Sequence, residues 1–105
     1  MTITKTDNGG RITLFLDGWL DTLSSPLLEN EIGQIGAASA IVLDFDKVEY
    51  IASAGLRQVV SCYRKAKELG AAFSVERVGG EVMSILTLTG LDRKFPVRPK
   101  EDPHG

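Results

Sequence analysis

The sequence predicts an α/β fold, a mixed sheet of four to five strands with helices packed on it. Three features carry that expectation. The chain opens on an alternating strand pattern beside a strong turn signal. A continuous apolar strand sits in its middle, and stretches of helical periodicity separate the strand candidates. Strand–helix–strand units take right-handed crossovers, which build such a sheet and leave sites at the carboxyl ends of its central strands.

Residues 2–6 form a β-prone run and Asp7-Asn8-Gly9-Gly10 is a turn signal. Beyond it Ile12, Leu14 and Leu16 alternate with Thr13, Phe15 and Asp17, so an N-terminal hairpin is expected. After Gly18-Trp19-Leu20-Asp21 comes Leu23-Ser24-Ser25-Pro26. Serine ahead of a proline at the first helical position marks a helix start, because proline lacks an amide that would be unpaired there anyway. Leu28, Ile32 and Ile35 follow at helical spacing, Glu29, Asn30 and Gln34 take the outer side, and Gly36 closes the helix.

Residues 40–45, AIVLDF, suit a central strand covered on both faces. A second helix is expected over residues 54–69, with Leu56, Val59, Val60, Tyr63 and Ala66 as its buried stripe. Arg57, Arg64, Lys65, Lys67 and Glu68 point to solvent and Gly70 ends it. Residues 72–76 read as a strand. Val82, Ile85, Leu86 and Thr89 give a third helical stripe closed by Gly90, although residues 84–89 are β-branched enough to fit a strand as well. Residues 95–97 suit a short edge strand. The domain is expected over residues 1–98, with 99–105 a polar, proline-containing, disordered tail.

The 105 residues fit one domain, and 43% hydrophobic with 25% charged residues is a globular balance. A net charge of −2 offers no basic surface for nucleic acid or an acidic membrane. The single cysteine, Cys62, excludes a disulfide framework and any CxxC metal or redox site. No signal peptide or membrane span is evident, so a cytoplasmic location with no direct membrane contact is expected. No metal, cofactor or catalytic group is expected either. The only histidine, His104, lies in the tail, away from any serine or cysteine it would have to activate, and Cys62 reads as a small core residue.

The segment VEYIASAGLRQVV, residues 48–60, reads as a strand end, a small-residue turn and the first turns of a helix. Ser53 is placed to cap that helix, its hydroxyl accepting from the amide of Gly55 or Leu56. Gly55 permits a close approach of another backbone. Taken alone, this spacing suits a capped helix as well as a functional site.

IVLDFDKVEYIASAGLRQVV resembles the core signature of the STAS domain family, the anti-sigma factor antagonists (anti-anti-sigma factors). LDGWLDT is similar to the family's Gly-x-Leu-Asp element and places Asp21 at its acidic position, while LTLTGLDRKFPV resembles its Ser/Thr-Gly-Leu element. The likeness spans roughly residues 2–98. It implies a STAS-like fold and a non-enzymatic switch that docks onto an anti-sigma factor of the serine-protein kinase type and so frees a sigma factor. In the family that kinase phosphorylates the Ser or Thr directly before the Gly-Leu pair, placing charge and bulk in the docking surface. Here that residue is Ala54, and the family's Asp two positions earlier is Ala52. Either Ser53 substitutes as the phosphorylation site, or the protein binds without this switch. The second is preferred, since a one-residue shift reorients the hydroxyl and capping would occupy it. The partner-binding residues so implied are Ser53, Ala54, Gly55, Leu56 and Arg57, bordered by Asp21 and Asp44.

Two other readings compete. A STAS protein can also be a subunit bound to the ATPase of a lipid ABC transporter. In a different class, Asp17, Asp21, Asp44 and Asp46 could converge to bind Mg²⁺ in an aspartate-phosphorylated, receiver-like domain. Trp19 is expected to pack over the sheet end rather than to anchor a partner.

Overall fold

A computed structural model describes residues 1–100. Strand β1 (Thr2–Asn8) pairs antiparallel with β2 (Arg11–Leu20). Helix α1 (Ser25–Gly33), β3 (Ala40–Ile51), α2 (Ser53–Glu68), β4 (Ala72–Val78), α3 (Gly80–Leu88) and β5 (Val97–Pro99) follow, with a 3-10 turn at Leu91–Arg93 between α3 and β5. The strand order is β1-β2-β3-β4-β5, parallel from β2 onward. The expected mixed sheet with packed helices is present, with five strands. Because each parallel strand is laid beside the previous one, the right-handed crossovers put all three helices on one face.

The hairpin turns through Gly9 and Gly10, at φ +65° and +93°, a pair of left-handed residues matched to strand twist. The Asp7 carboxylate accepts the Gly10 amide at 2.9 Å. On the helix-covered face Ile12, Leu14, Leu16, Ile41, Leu43, Phe45, Phe73 and Val75 pack against Leu28, Ile32, Val59, Cys62, Ala66, Val82 and Leu86 in one core. Complete burial of a side chain such as Leu43 contributes about 2 kcal/mol. The helix-free face carries Thr13, Phe15, Val42, Asp44, Ser74 and Glu76. Residues 40–45 are accordingly covered on both faces only in part: Val42 and Asp44 are buried by neighbouring side chains of the sheet.

Several boundaries differ from the sequence expectation, each for a physical reason. Strand β3 continues to Ile51 because bulges carry it past Phe45. The β2–β3 register shifts twice, between Phe15 and Asp17 and between Gly18 and Trp19, each time with one extra residue on β3. Inward residues are therefore Ile41, Leu43 and Phe45, then Val48, then Ile51, a spacing that no longer alternates. Strand β4 similarly reaches Val78 through a shift after Val75, with Arg77 at φ +55°. Helix α1 begins one residue early, with Ser24 as N-cap, and ends at Gly33 with Gln34 as C-cap, so Gly36 does not close it. The ambiguous third stripe is helical, Gly90 following it at φ +77°, but Thr89 is exposed rather than buried. Strand β5 lies two residues beyond the expected 95–97, because Phe95 is drawn into an aromatic group with Tyr63 and Phe73.

Pro99 and Lys100 belong to the fold rather than to a tail; residues 101–105 lie outside the described residues. The Lys100 amide donates to the Val78 carbonyl at 2.9 Å, and its Nζ reaches the Asp46 carbonyl at 2.6 Å and carboxylate at 3.1 Å. Arg98 pairs with Glu76, and Arg77 with Asp44 at 2.8 Å. The last strand is thus clasped to the bulged ends of β3 and β4. The Asp46 carboxyl is held below the usual aspartate range, chiefly by the Lys100 hydrogen bond; the Lys100, Arg77 and Lys47 charges add to this and desolvation opposes it. A carboxyl depressed on folding stabilises the fold above about pH 4 and loses that contribution as pH falls through its folded value. The urea midpoint should therefore fall more steeply between about pH 5 and pH 2 in the native chain than in Lys100→Ala. Parallel declines would show that the clasp is not coupled to folding.

Candidate functional site

The β3–α2 turn is built by a close contact at the ends of two strands. The Ala52 amide donates to the Leu20 carbonyl at 2.9 Å, tying the end of β3 to that of β2. Ala52, extended at φ −100° and ψ 175°, is the N-cap, and its carbonyl accepts the Leu56 amide at 3.0 Å. Ser53 is therefore the first helical residue and not the cap; no side-chain cap bond forms, and Ser53 is exposed. The expected capping role is overturned because the helix starts one residue earlier than a serine cap requires. Its hydroxyl is left facing solvent.

Gly55 is buried for a steric reason. A Cβ there would lie 2.5 Å from the Leu20 carbonyl oxygen, 2.8 Å from Leu20 Cγ and 2.9 Å from Ile51 Cγ1. The first turn of α2 rests directly on the strand ends, so Gly55 supports the surface without being part of it. Ala54 and Leu56 are half-buried and Arg57 is exposed. Further along, Val59, Cys62 and Ala66 are buried as Gly55 is, and Leu56, Val60 and Tyr63 only half so. The buried stripe is rotated toward Gln58 and Cys62 from the expected one. Burial pushes the Cys62 thiol up to about 12, so it stays protonated and inert.

Rotation of the stripe leaves an open groove of about 400 Å³ between α2 and the chain leaving α3, lined by Leu56, Arg57, Val60, Arg64, Thr89 and Leu91. On the other flank of the turn lie Trp19, Tyr50, Leu23 and Leu27, respectively 56%, 45%, 88% and 48% exposed. Trp19 does not pack over the sheet end. Its ring stands 5.3 Å from that of Tyr50, and its Nε1 donates to the Glu49 carboxylate at 3.3 Å. Sequence reasoning missed Tyr50, Leu23, Leu27 and Val60 as surface residues, while Arg64 is exposed as expected. The one available signal was that Leu23 and Leu27, four apart, fall outside the Leu28-Ile32-Ile35 stripe.

Asp21 follows Leu20 and so stands beside the turn, but its carboxylate serves its own backbone. It accepts the amides of Leu23 and Ser24, both at 3.0 Å, while the Ser24 hydroxyl accepts the Asp21 amide at 2.9 Å. This is the reciprocal logic of a capping box. The Asp21 carboxyl is lowered in consequence, first by the Ser24 amide. Asp44 stands apart from the turn, seven residues and about 20 Å of strand before Ile51. It is buried, paired with Arg77, and accepts the Asp46 amide at 3.0 Å across the bulge. Asp17, Asp21, Asp44 and Asp46 do not converge: among the described residues no group of three acidic, histidine or cysteine side chains is placed to hold a metal.

The STAS domain family model matches residues 2–103. The chain belongs to the STAS domain family. Among relatives of this STAS chain, the anti-sigma-F factor antagonist RsfB of Mycobacterium tuberculosis is 30% identical over 97 residues, covering 90% of this chain and 79% of the relative. An anti-sigma factor antagonist from Mycobacterium paratuberculosis superposes with a TM-score of 0.80 at 32% identity, covering 93% of this chain and 85% of the other. A sulfate transporter family protein from Wolinella succinogenes has a TM-score of 0.79 at 14% identity, over 90% and 80% of the two chains. At that identity the likeness is one of fold alone.

Because its Cβ would meet backbone rather than a flexible side-chain tip, Gly55→Ala should destabilise the STAS domain by about 2 kcal/mol or more. A urea midpoint equal to that of the native chain would show that α2 can lift off the strand ends without cost. For the same reason substitution of Gly55 is not a clean probe of partner binding.

Proposed function

We propose that this chain is an anti-sigma factor antagonist. It acts in the cytoplasm by docking, without catalysis, onto an anti-sigma factor of the serine-kinase type, which then releases its sigma factor. The observation that carries this reading is the surface at the β3–α2 turn. There an exposed helix start, Ser53 and Arg57 project from a rigid support, with exposed apolar side chains on one flank and the half-buried Leu56 and Val60 on the other. Exposed aromatic and arginine side chains on a rigid support are what protein recognition favours. The relatives at 30% and 32% identity, both named as antagonists, support the same reading.

Ser53, Leu56 and Arg57 form the contact surface with Ala54 between them, Gly55 lies beneath it, and Asp21 shapes the neighbouring turn. Asp44 organises the clasp with Arg77 near the end of β4, apart from the turn. Ser53→Glu tests the assignment, since an acid in a helix's first turn favours the helix and leaves the fold intact. With the anti-sigma factor captured from the native host, this variant should bind at least tenfold more weakly by calorimetry. Unchanged affinity would exclude the turn as the docking surface.

The protein binds without the family's covalent switch. Ala54 offers no acceptor, and the Ser53 hydroxyl leaves the helix about 100° around its axis from that position. Free exposure of Ser53 removes capping as an obstacle to phosphorylation, so the orientation of the hydroxyl is the remaining ground. Intact-mass measurement after incubation with the captured kinase and ATP should show no phosphate adduct. An adduct that disappears in Ser53→Ala would make Ser53 the substitute acceptor.

A further inference from the structure

Helix α2 is the basic element of an acidic chain. Its sequence holds Arg57, Arg64, Lys65 and Lys67 against the single acid Glu68, while the whole chain has a net charge of −2. Among the described residues the ion pairs are made by Arg77, Arg98 and Lys100, on the far side of the sheet end. Neither Arg57 nor Arg64 forms one, and Lys67 rests over the Tyr63 ring at 5.4 Å. Arg57 and Arg64 are seven residues apart, so their side chains leave the same helix face separated by two turns, about 10.5 Å along the axis.

Between these two cations the surface is mainly apolar, and the one serine there, Ser61, turns its hydroxyl back to the Arg57 carbonyl at 3.2 Å. Leu56 and Val60 are half-buried and, with Leu91 across from them, line the groove of about 400 Å³. Thr89, on the same rim, already donates its hydroxyl to the carbonyls of Ile85 and Leu86 at 2.9 and 3.1 Å. Just before it, Leu88 is 86% exposed. The groove therefore offers apolar contact along its length and two unpaired guanidinium groups at its margins.

We infer that the groove receives an acidic amphipathic helix of the partner protein. Apolar side chains of that helix seat against Leu56, Val60 and Leu91, and carboxylates two turns apart meet Arg57 and Arg64. A basic occupant would face like charge at both margins, and a purely polar one would leave the apolar lining wet. A helix repeats its face at the two-turn spacing of the arginines, and guanidinium groups bind carboxylates bidentately. The inference rests on the docking reading and specifies the partner's chemistry at one flank of that surface.

The probes are a synthetic helical peptide with glutamates at i and i+7 and leucines at i+3 and i+4, and its counterpart with lysines in place of the glutamates. Titrated into the isotopically labelled chain, the glutamate peptide should shift the amides of Leu56, Val60, Arg64 and Leu91. The lysine peptide should not. The double variant R57E/R64E changes two exposed side chains, and its fold is checked by circular dichroism. It should bind the glutamate peptide at least tenfold more weakly and gain binding of the lysine peptide. Equal response to both peptides, or shifts lying away from the groove, would overturn the inference. The captured anti-sigma factor separates the two levels of the argument. If it binds Arg64→Glu as tightly as the native chain while Ser53→Glu weakens binding, the groove inference fails and the docking reading stands. If it does not bind the native chain at all, the docking reading fails and takes the groove inference with it.

Discussion

Helix α2 can start where it does because the Leu20 carbonyl and the Ile51 side chain occupy space that any side chain at residue 55 would need. The Ala52–Leu20 hydrogen bond holds the two strand ends together, and the absence of a Cβ at Gly55 lets the first helical turn settle onto them. Everything exposed at that end takes its position from this contact. Ser53 and Arg57 point outward because Gly55 and Val59 point in, and Trp19 and Tyr50 emerge beside them because Leu20 and Ile51 are the buried partners of the same strand pair. The surface is on loops and a helix start, but its support has the rigidity of the sheet.

That support gives a defined, rigid surface to a domain whose described residues hold no cluster placed for a metal. Its one thiol is neutral and enclosed, and its acids are spread along the sheet rather than gathered. What remains is shape and charge at a single rim: a basic, apolar flank on α2 and an aromatic flank on β2 and β3 whose Trp19 is steadied by Glu49. Opposite character on the two sides of one turn restricts how a partner can be oriented over it. Recognition of this kind needs no covalent event, in keeping with Ala54 at the position where a hydroxyl would otherwise stand.

Much of this was legible in the sequence. The hairpin at Gly9-Gly10, the apolar run at residues 40–45 and the extent of α2, though not its buried stripe, follow from local periodicity, and the family likeness placed the turn. Periodicity failed wherever a bulge inserted a residue. After Phe45 the inward positions are three apart, so β3 looked finished at its midpoint, and β4 was shortened in the same way before Val78. The place of Asp44 was misread for a related reason, since an acid in mid-strand looks like a strand-end acid once the strand is cut short. The close backbone approach expected at Gly55 is there, made by the Leu20 carbonyl, but its burial shows only once the strand beneath it is placed. Trp19 was assigned to packing, although nothing in one dimension shows that Tyr50 comes to lie beside it.

The bulges also separate two kinds of sequence change in β3. Between Phe45 and Ile51 the side chains of Lys47, Glu49 and Tyr50 are exposed, so the core places no constraint on their identity. The number of residues is not free in the same way. Removing one residue between Phe45 and Val48 would restore plain alternation there with Val48 still on the core face, but it would erase the first bulge and draw the start of α2 back along the sheet. In this segment chain length, more than residue identity, keeps the helix start level with the strand ends, so divergence here should run through substitutions and spare insertions and deletions.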